Sequence, residues 1–273
     1  MNLMNFVLFS SMLLLTDNIK GSDYNFESDL NLIDWYELNT RTFFFGHQSV
    51  GKNLIEGLLL IRTQYPQFTL PIIAYDWTQG TEKQAHSAGF YHSLVGKNQN
   101  PYSKINEFFR LADQIADNGS IVCLKFCYAD ITEETDVETL FDEYQSRVDD
   151  FKRRHPDSRI FHFTVPLTSD AKDIKSSVKK LLGRKVRGYR DNLQRYRYNQ
   201  LLLKNIDHFE VFDIAKFQST SASGERVTGT VDGQTYFAMD PRYTDDGGHL
   251  NSVGQEHIAT EFLKFLSQYL NKN

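Results

Sequence analysis

Apolar and polar positions fall in blocks along this chain, and the blocks switch between two periods. Thr42 to Phe45 is an apolar run with three consecutive Phe residues, the length of a short buried strand. It stops at Gly46. Beyond it Leu54, Ile55, Leu58, Leu59 and Ile61 share one helical face, so this helix is predicted to run to about Thr63. The unit reads as strand, tight turn and helix, with Ser49 in the turn. Leu70 to Tyr75 is a second strand, apolar throughout and so expected to be buried on both faces. Ile121 to Phe126, Arg159 to Val165 and Phe209 to Ile214 make three more. Helical periods fill the gaps. Ser103 to Ala116 is one helix, and a second runs to about Arg154, capped by Thr132 with Glu133 and Glu134 in its first turn. Lys172 to Asn205 is largely helical, broken near Gly183 and Gly188, and Val253 to Leu270 is a final amphipathic helix. Val227 to Met239 reads as a hairpin about Asp232-Gly233. Asp76 to Pro101 has no convincing period and reads as a long functional loop.

Five strands alternating with helices predict an α/β fold, a parallel sheet covered on both faces in three α/β/α layers. Chemistry in such sheets sits at the carboxyl ends of the strands. Ser49, the loop after Tyr75, Asp130 and the turn before the last helix all fall on that edge.

Composition narrows the picture only a little. The 273 residues suit a single domain over 23–273, and a net charge of −5 argues against a general nucleic-acid partner. Lys172 to Arg197 is basic with Tyr189, Tyr196 and Tyr198 interleaved, which reads as a solvated face offset by the acidic helix before it. Cys123 and Cys127 on one strand would stand roughly 13 Å apart, beyond disulfide reach, and read as small core residues. Phe6 to Leu15 is too short an apolar run to span a bilayer but matches the core of an export signal, so residues 1–22 are expected to be a signal peptide and the mature chain to lack an integral membrane segment.

Ser49 carries three readings. At a strand's carboxyl end and a helix's amino end, unpaired N–H groups favour developing negative charge, which suits a nucleophile. Gly46 to Asn53 also nearly spells a phosphate-binding loop, with Asn53 where a Ser or Thr should stand. Third, Ser49 could simply cap the helix. A second constellation lies before the last helix, where Asp246 and His249 stand three apart in a Gly-rich turn. A serine needs a base, usually His, and an acid to hold the His in its tautomer.

Asp246-Gly-Gly-His249-Leu-Asn251-Ser-Val-Gly254 resembles the closing motif of the SGNH hydrolases, also called GDSL-type esterases and lipases. Phe45-Gly46-His47-Gln48-Ser49 is similar to their first motif with one extra residue, and Arg195 to Asn199 is similar to a segment before the fifth strand. The resemblance covers Thr42 to the carboxyl terminus. It implies a flavodoxin-like five-stranded sheet, a Ser49-His249-Asp246 triad and an O-ester substrate, carbohydrate or small-molecule, with no metal or organic cofactor. It also implies that Asp130 stands at the acid of the third motif, where it anchors loops. The Asn of that motif is here Ala129, so an oxyanion donor is missing. Gly96 and Asn98 are the candidate replacements, with Gly80 the rival glycine, and His47 is a candidate substrate contact. The alternative implied by Ala129 is a non-catalytic carbohydrate-binding protein on the same fold.

Overall fold

In the computed structural model, residues 30–31, 33–75, 87–116, 119–170 and 188–272 are described. The signal-peptide expectation for residues 1–22, the candidate donor Gly80, and the stretch around Gly183 lie outside the described residues. Among the described residues no helix is long and apolar enough to cross a membrane.

Six parallel strands make the central sheet: β1 (Thr42–His47), β2 (Ile72–Ala74), β3 (Gly89–Leu94), β4 (Ile121–Leu124), β5 (Arg159–Phe163) and β6 (Val211–Phe212). They lie in the order β2-β3-β1-β4-β5-β6. The parallel α/β sheet is therefore as expected, with one strand more than the five expected. The additional strand, β3, lies inside the stretch expected to be a loop. Its Phe90 and Tyr91 enter the cores on opposite faces, but His92 and Ser93 interrupt the apolar run. β2 also departs from expectation. It is half-exposed because it forms the sheet edge and pairs with β3 alone.

The strands bury alternate side chains on opposite faces, and β1 shows why three Phe residues stand in a row. Phe43 and Phe45 join the core on one face, Phe44 the core on the other, and all three are fully buried. Each such ring contributes about 1.5–3 kcal/mol relative to leaving it in water. The helices are α1 (Trp35–Asn39), α2 (Ser49–Gln64), α3 (Pro101–Ile115), α4 (Val137–Arg154), α5 (Tyr189–Asn205), α6 (Ile214–Ser219) and α7 (Ser252–Asn271). α2 and α7 cover the Phe43/Phe45 face; α3, α4 and α5 cover the Phe44 face. Helix α4 starts later than expected, because Asp136 caps it through the Thr139 N–H while Thr132 to Thr135 form a separate turn. The hairpin stands where predicted, as β7 (Thr228–Val231) and β8 (Gln234–Phe237). Its Asp232 and Gly233 both have positive φ, the left-handed backbone a two-residue hairpin turn requires.

β1 is the strand where the chain order reverses. From it the chain goes outward to β2 and back to β3, then crosses to β4 on the other side. A crevice at the carboxyl ends of β1 and β4 is the place such a reversal leaves for a ligand.

Candidate active site

Only Gln48 separates β1 from α2, and it is locked in place. Its side-chain amide donates to the carbonyls of Val95 and Gly96, both at 3.0 Å, tying the turn to the loop after β3. Ser49 is the first residue of α2 and is partly exposed. The cap position belongs to Gln48, which makes no side-chain cap bond, so Ser49 is not the helix cap. Its Oγ lies 3.7 Å from the Cys127 sulfur. The phosphate-loop reading also fails. Gly46 is in the sheet and Gly51 is in the helix, which leaves no loop to wrap a phosphate. Lys52 points outward to Glu56.

His47, the candidate substrate contact, is buried. Its ring stacks on Phe45; Nδ1 is 2.9 Å from the Gln48 carbonyl and Nε2 is 3.0 Å from His92 Nδ1. A consistent tautomer set has His47 Nδ1 donating to Gln48 and accepting at Nε2 from His92. Gly51 rests directly on this imidazole: a Cβ there would lie 2.3 Å from the His47 Cβ. Gly51→Ala is therefore expected to destabilise the fold by about 1–3 kcal/mol, as overpacking does, read from the urea midpoint.

Burial pushes His47 down to about 3, with the nearby His92 and lysines acting the same way, and lowers His92 as well. Burial also lowers His162 to about 3 and His257 to about 4. Unfolded, these side chains take up protons below their ordinary value near 6.5. The stability they leave intact above pH 6.5 is thus lost as pH falls toward 3. Denaturant titrations at pH 7, 5.5 and 4.5 should show a fall of a few kcal/mol, and His47→Gln should make that fall shallower.

The turn after β4, Cys127 to Asp130, is held from below. Asp130 is buried and accepts from the Cys127 N–H at 2.6 Å, the Gln99 N–H at 3.0 Å and the Lys104 ammonium at 2.5 Å. It therefore clamps two loops and faces Lys104, whose ammonium also donates to the Asn98 side-chain oxygen Oδ1 at 2.9 Å. Arg195, buried and lowered to about 10 by that burial against the pull of Asp191, clamps the same turn from the other side. It donates to the carbonyls of Tyr128 and Ile131 and to Thr168 and Asn192. Arg195 was part of a stretch read as a solvated basic face. Its role was legible only as a similarity of sequence.

Gly96 does not stand as an oxyanion donor. The Gly96 N–H donates to Glu107 at 2.6 Å, and its positive φ and contact with the Lys104 backbone make it a structural glycine. The Asn98 side chain is turned to Lys104. Ser49 and Val50 open the first turn of α2, where backbone N–H groups have no intrahelical acceptor.

Asp246 and His249 form the closest-knit part of the site. Asp246 Oδ2 accepts from His249 Nδ1 at 2.6 Å, and Oδ1 accepts from the backbone N–H groups of Gly248 and His249. Burial disfavours the carboxylate charge, but the His249 ring and these two N–H donors outweigh it and hold the carboxyl far below its usual range. The His249 ring stands edge-on to Tyr128, which also leaves no space for a Cβ at Gly248. One residue that sequence reading missed joins the halves of the site. Asn53, one turn after Ser49, accepts the Leu250 N–H at 3.2 Å, so α2 holds the loop that carries His249. The residue that spoiled the phosphate-loop pattern was the available signal. Ser49 and His249 are not hydrogen-bonded to each other; the Ser49 hydroxyl faces the Cys127 sulfur instead.

No family model matches the chain, and no curated protein does. Solved structures similar to it include a carbohydrate esterase family 3 protein from Talaromyces cellulolyticus, 12% identical over 85% of this chain and 98% of that one, TM-score 0.47. A lipase/acylhydrolase from Enterococcus faecalis is 11% identical over 83% and 95%, TM-score 0.45. A GDSL-like lipase from Bacteroides thetaiotaomicron is 11% identical over 91% and 98%, TM-score 0.39. At these scores and identities the likeness assigns no activity to this chain.

Proposed function

We propose that this protein is a serine hydrolase of O-esters, with carbohydrate or small-molecule acyl esters as substrates. One observation carries the reading: a carboxylate-oriented histidine, Asp246–His249, on a loop that Asn53 fastens to the helix beginning at Ser49. In this reading Ser49 Oγ turns from Cys127 to His249 when substrate enters. His249 Nε2 takes its proton as Oγ attacks the acyl carbonyl, then gives it to the leaving alcohol. Water, activated by the same imidazole, releases the acid. Asp246 stabilises the imidazolium and fixes Nδ1–H, leaving Nε2 free to accept. The amino end of α2 faces the developing oxyanion. An open cleft of about 550 Å³ lies beside the Ala129–Asp130 turn, lined by Gln99, Asn100 and Tyr102 and by acidic side chains including Glu133 and Asp136; Ser49 and His249 do not line it.

The test is hydrolysis of p-nitrophenyl acetate together with reaction with a fluorophosphonate, the adduct being located by mass spectrometry. Turnover with the adduct on Ser49 is expected. An adduct elsewhere would move the nucleophile. Neither turnover nor adduct would favour the non-catalytic carbohydrate-binding protein.

A further inference from the structure

Lys125 is fully buried, yet it has no carboxylate of its own. Among the described residues its ammonium donates to one acceptor, the carbonyl of Phe126 at 3.1 Å. The buried carboxylate nearest in sequence, Asp130, is taken up by Lys104, itself fully buried. Two buried amines thus share one buried carboxylate. A buried charge without a partner is costly, and it persists where something compensates it.

Its place in the sheet is informative. The Lys125 N–H donates to the Gly46 carbonyl at 3.0 Å, which continues the β1–β4 pairing and sets Lys125 beside His47. Strand alternation sends its side chain to the face of Cys123 and Phe45, the face on which α2 lies. His47 is on that face, under Gly51 of the first turn of α2. Two residues beyond Lys125, Cys127 touches Ser49. The amine therefore lies beneath the amino end of α2, adding its charge to the positive end of the helix dipole.

We propose that Lys125 is the buried positive charge that stabilises the oxyanion formed at Ser49, compensating for the donor that Ala129 cannot supply. This rests on the serine-hydrolase reading. In acylation the Ser49 Oγ bonds to the carbonyl carbon, the serine proton passes to His249, and the carbonyl π pair becomes the oxyanion. When the intermediate collapses, the bond to the alcohol breaks and the proton leaves with it. Lys125 exchanges no proton and touches no substrate; it acts through its field in a water-excluded place, so it is a supporting charge and not a catalytic residue.

Charged and titratable groups of β1, α3 and the turn after β4 act on it. From β1 comes His47, kept neutral by burial; from α3, Lys104; from the turn after β4, Asp130 and Cys127. Burial, reinforced by Lys104 and opposed by Cys127 and Asp130, brings the amine down to about 8. That direction brings its loss of charge closer to neutral pH than for a free lysine.

The test compares the intact protein with Lys125→Met, measuring kcat and KM for p-nitrophenyl acetate and the rate of Ser49 phosphonylation between pH 6 and 10. In the variant kcat and the phosphonylation rate should fall by about ten- to one-hundred-fold with KM little changed. The wild-type rate should decline through pH 8 and above, and that alkaline limb should vanish in the variant. The thermal midpoint of Lys125→Met should be unchanged or higher, since the change removes a buried charge. A Lys125→Met variant with wild-type kcat and an intact fold would overturn the proposal while leaving the hydrolase standing. A wild-type protein with neither turnover nor Ser49 adduct would remove the hydrolase reading and this inference with it.

Discussion

Ser49→Ala and His249→Ala should each lower kcat for ester hydrolysis by on the order of ten-thousand-fold or more, and the double variant should be no worse than the poorer single one. The reason is that the two side chains act as one device. Without His249 the serine proton has no acceptor, and without Ser49 the base has nothing to activate but water. What survives in either variant is the field at the amino end of α2. Neither change should cost much stability. Ser49 is not the cap of α2, and among the described residues its hydroxyl's hydrogen-bond partner is the Cys127 sulfur. The His249 ring is partly exposed. Steady-state kinetics beside a thermal melt separates lost chemistry from lost fold. Equal additive losses in the double variant would mean that the two residues work independently, which the triad does not allow.

Asp246→Asn should lower kcat by about a thousand- to ten-thousand-fold while KM stays close to wild type. The loop should survive the change, because the amide oxygen can still accept the Gly248 and His249 N–H bonds that Oδ1 now receives. The amide nitrogen, however, would present a donor to His249 Nδ1. The ring would then place its proton on Nε2, the atom that must accept from Ser49. Asp246→Ala tests the other half of the same claim. It removes the acceptor of both backbone N–H groups as well, so it should lower the thermal midpoint where Asp246→Asn does not. If the two variants lose activity equally and both keep wild-type stability, the loop is not organised by Oδ1.

The parts of this fold legible in the sequence were those where period and chemistry agree. The Phe43–Phe45 run, the amphipathic face of α7 and the Asp232-Gly233 turn each met a local demand that only a few residue types satisfy. β3 was not legible because His92 turns to another histidine, and that pairing is a tertiary contact with no local sign. The start of α4 was misplaced because Thr132 and Asp136 both suit a cap, and only packing decides between them. In the candidate site, Asp246 and His249 stand close in sequence and could be paired on paper. The oxyanion donors could not, since whether an N–H is open depends on a distant partner such as Glu107. Asn53 and Lys125 escaped for the same reason: each acquires its meaning from a segment far along the chain.

The contact between Asn53 and Leu250 spans 197 positions. During synthesis, the strand and helix that present Ser49 leave the ribosome early, while Asp246, His249 and the helix that seats them come last. On the serine-hydrolase reading, the nascent chain thus carries its serine through the intervening strands with no base to arm it. Chains released before Thr244 would remain inert toward esters however well the earlier strands had paired. On the same serine-hydrolase reading, hydrolytic competence would arise in a single late step, when α7 docks against α2.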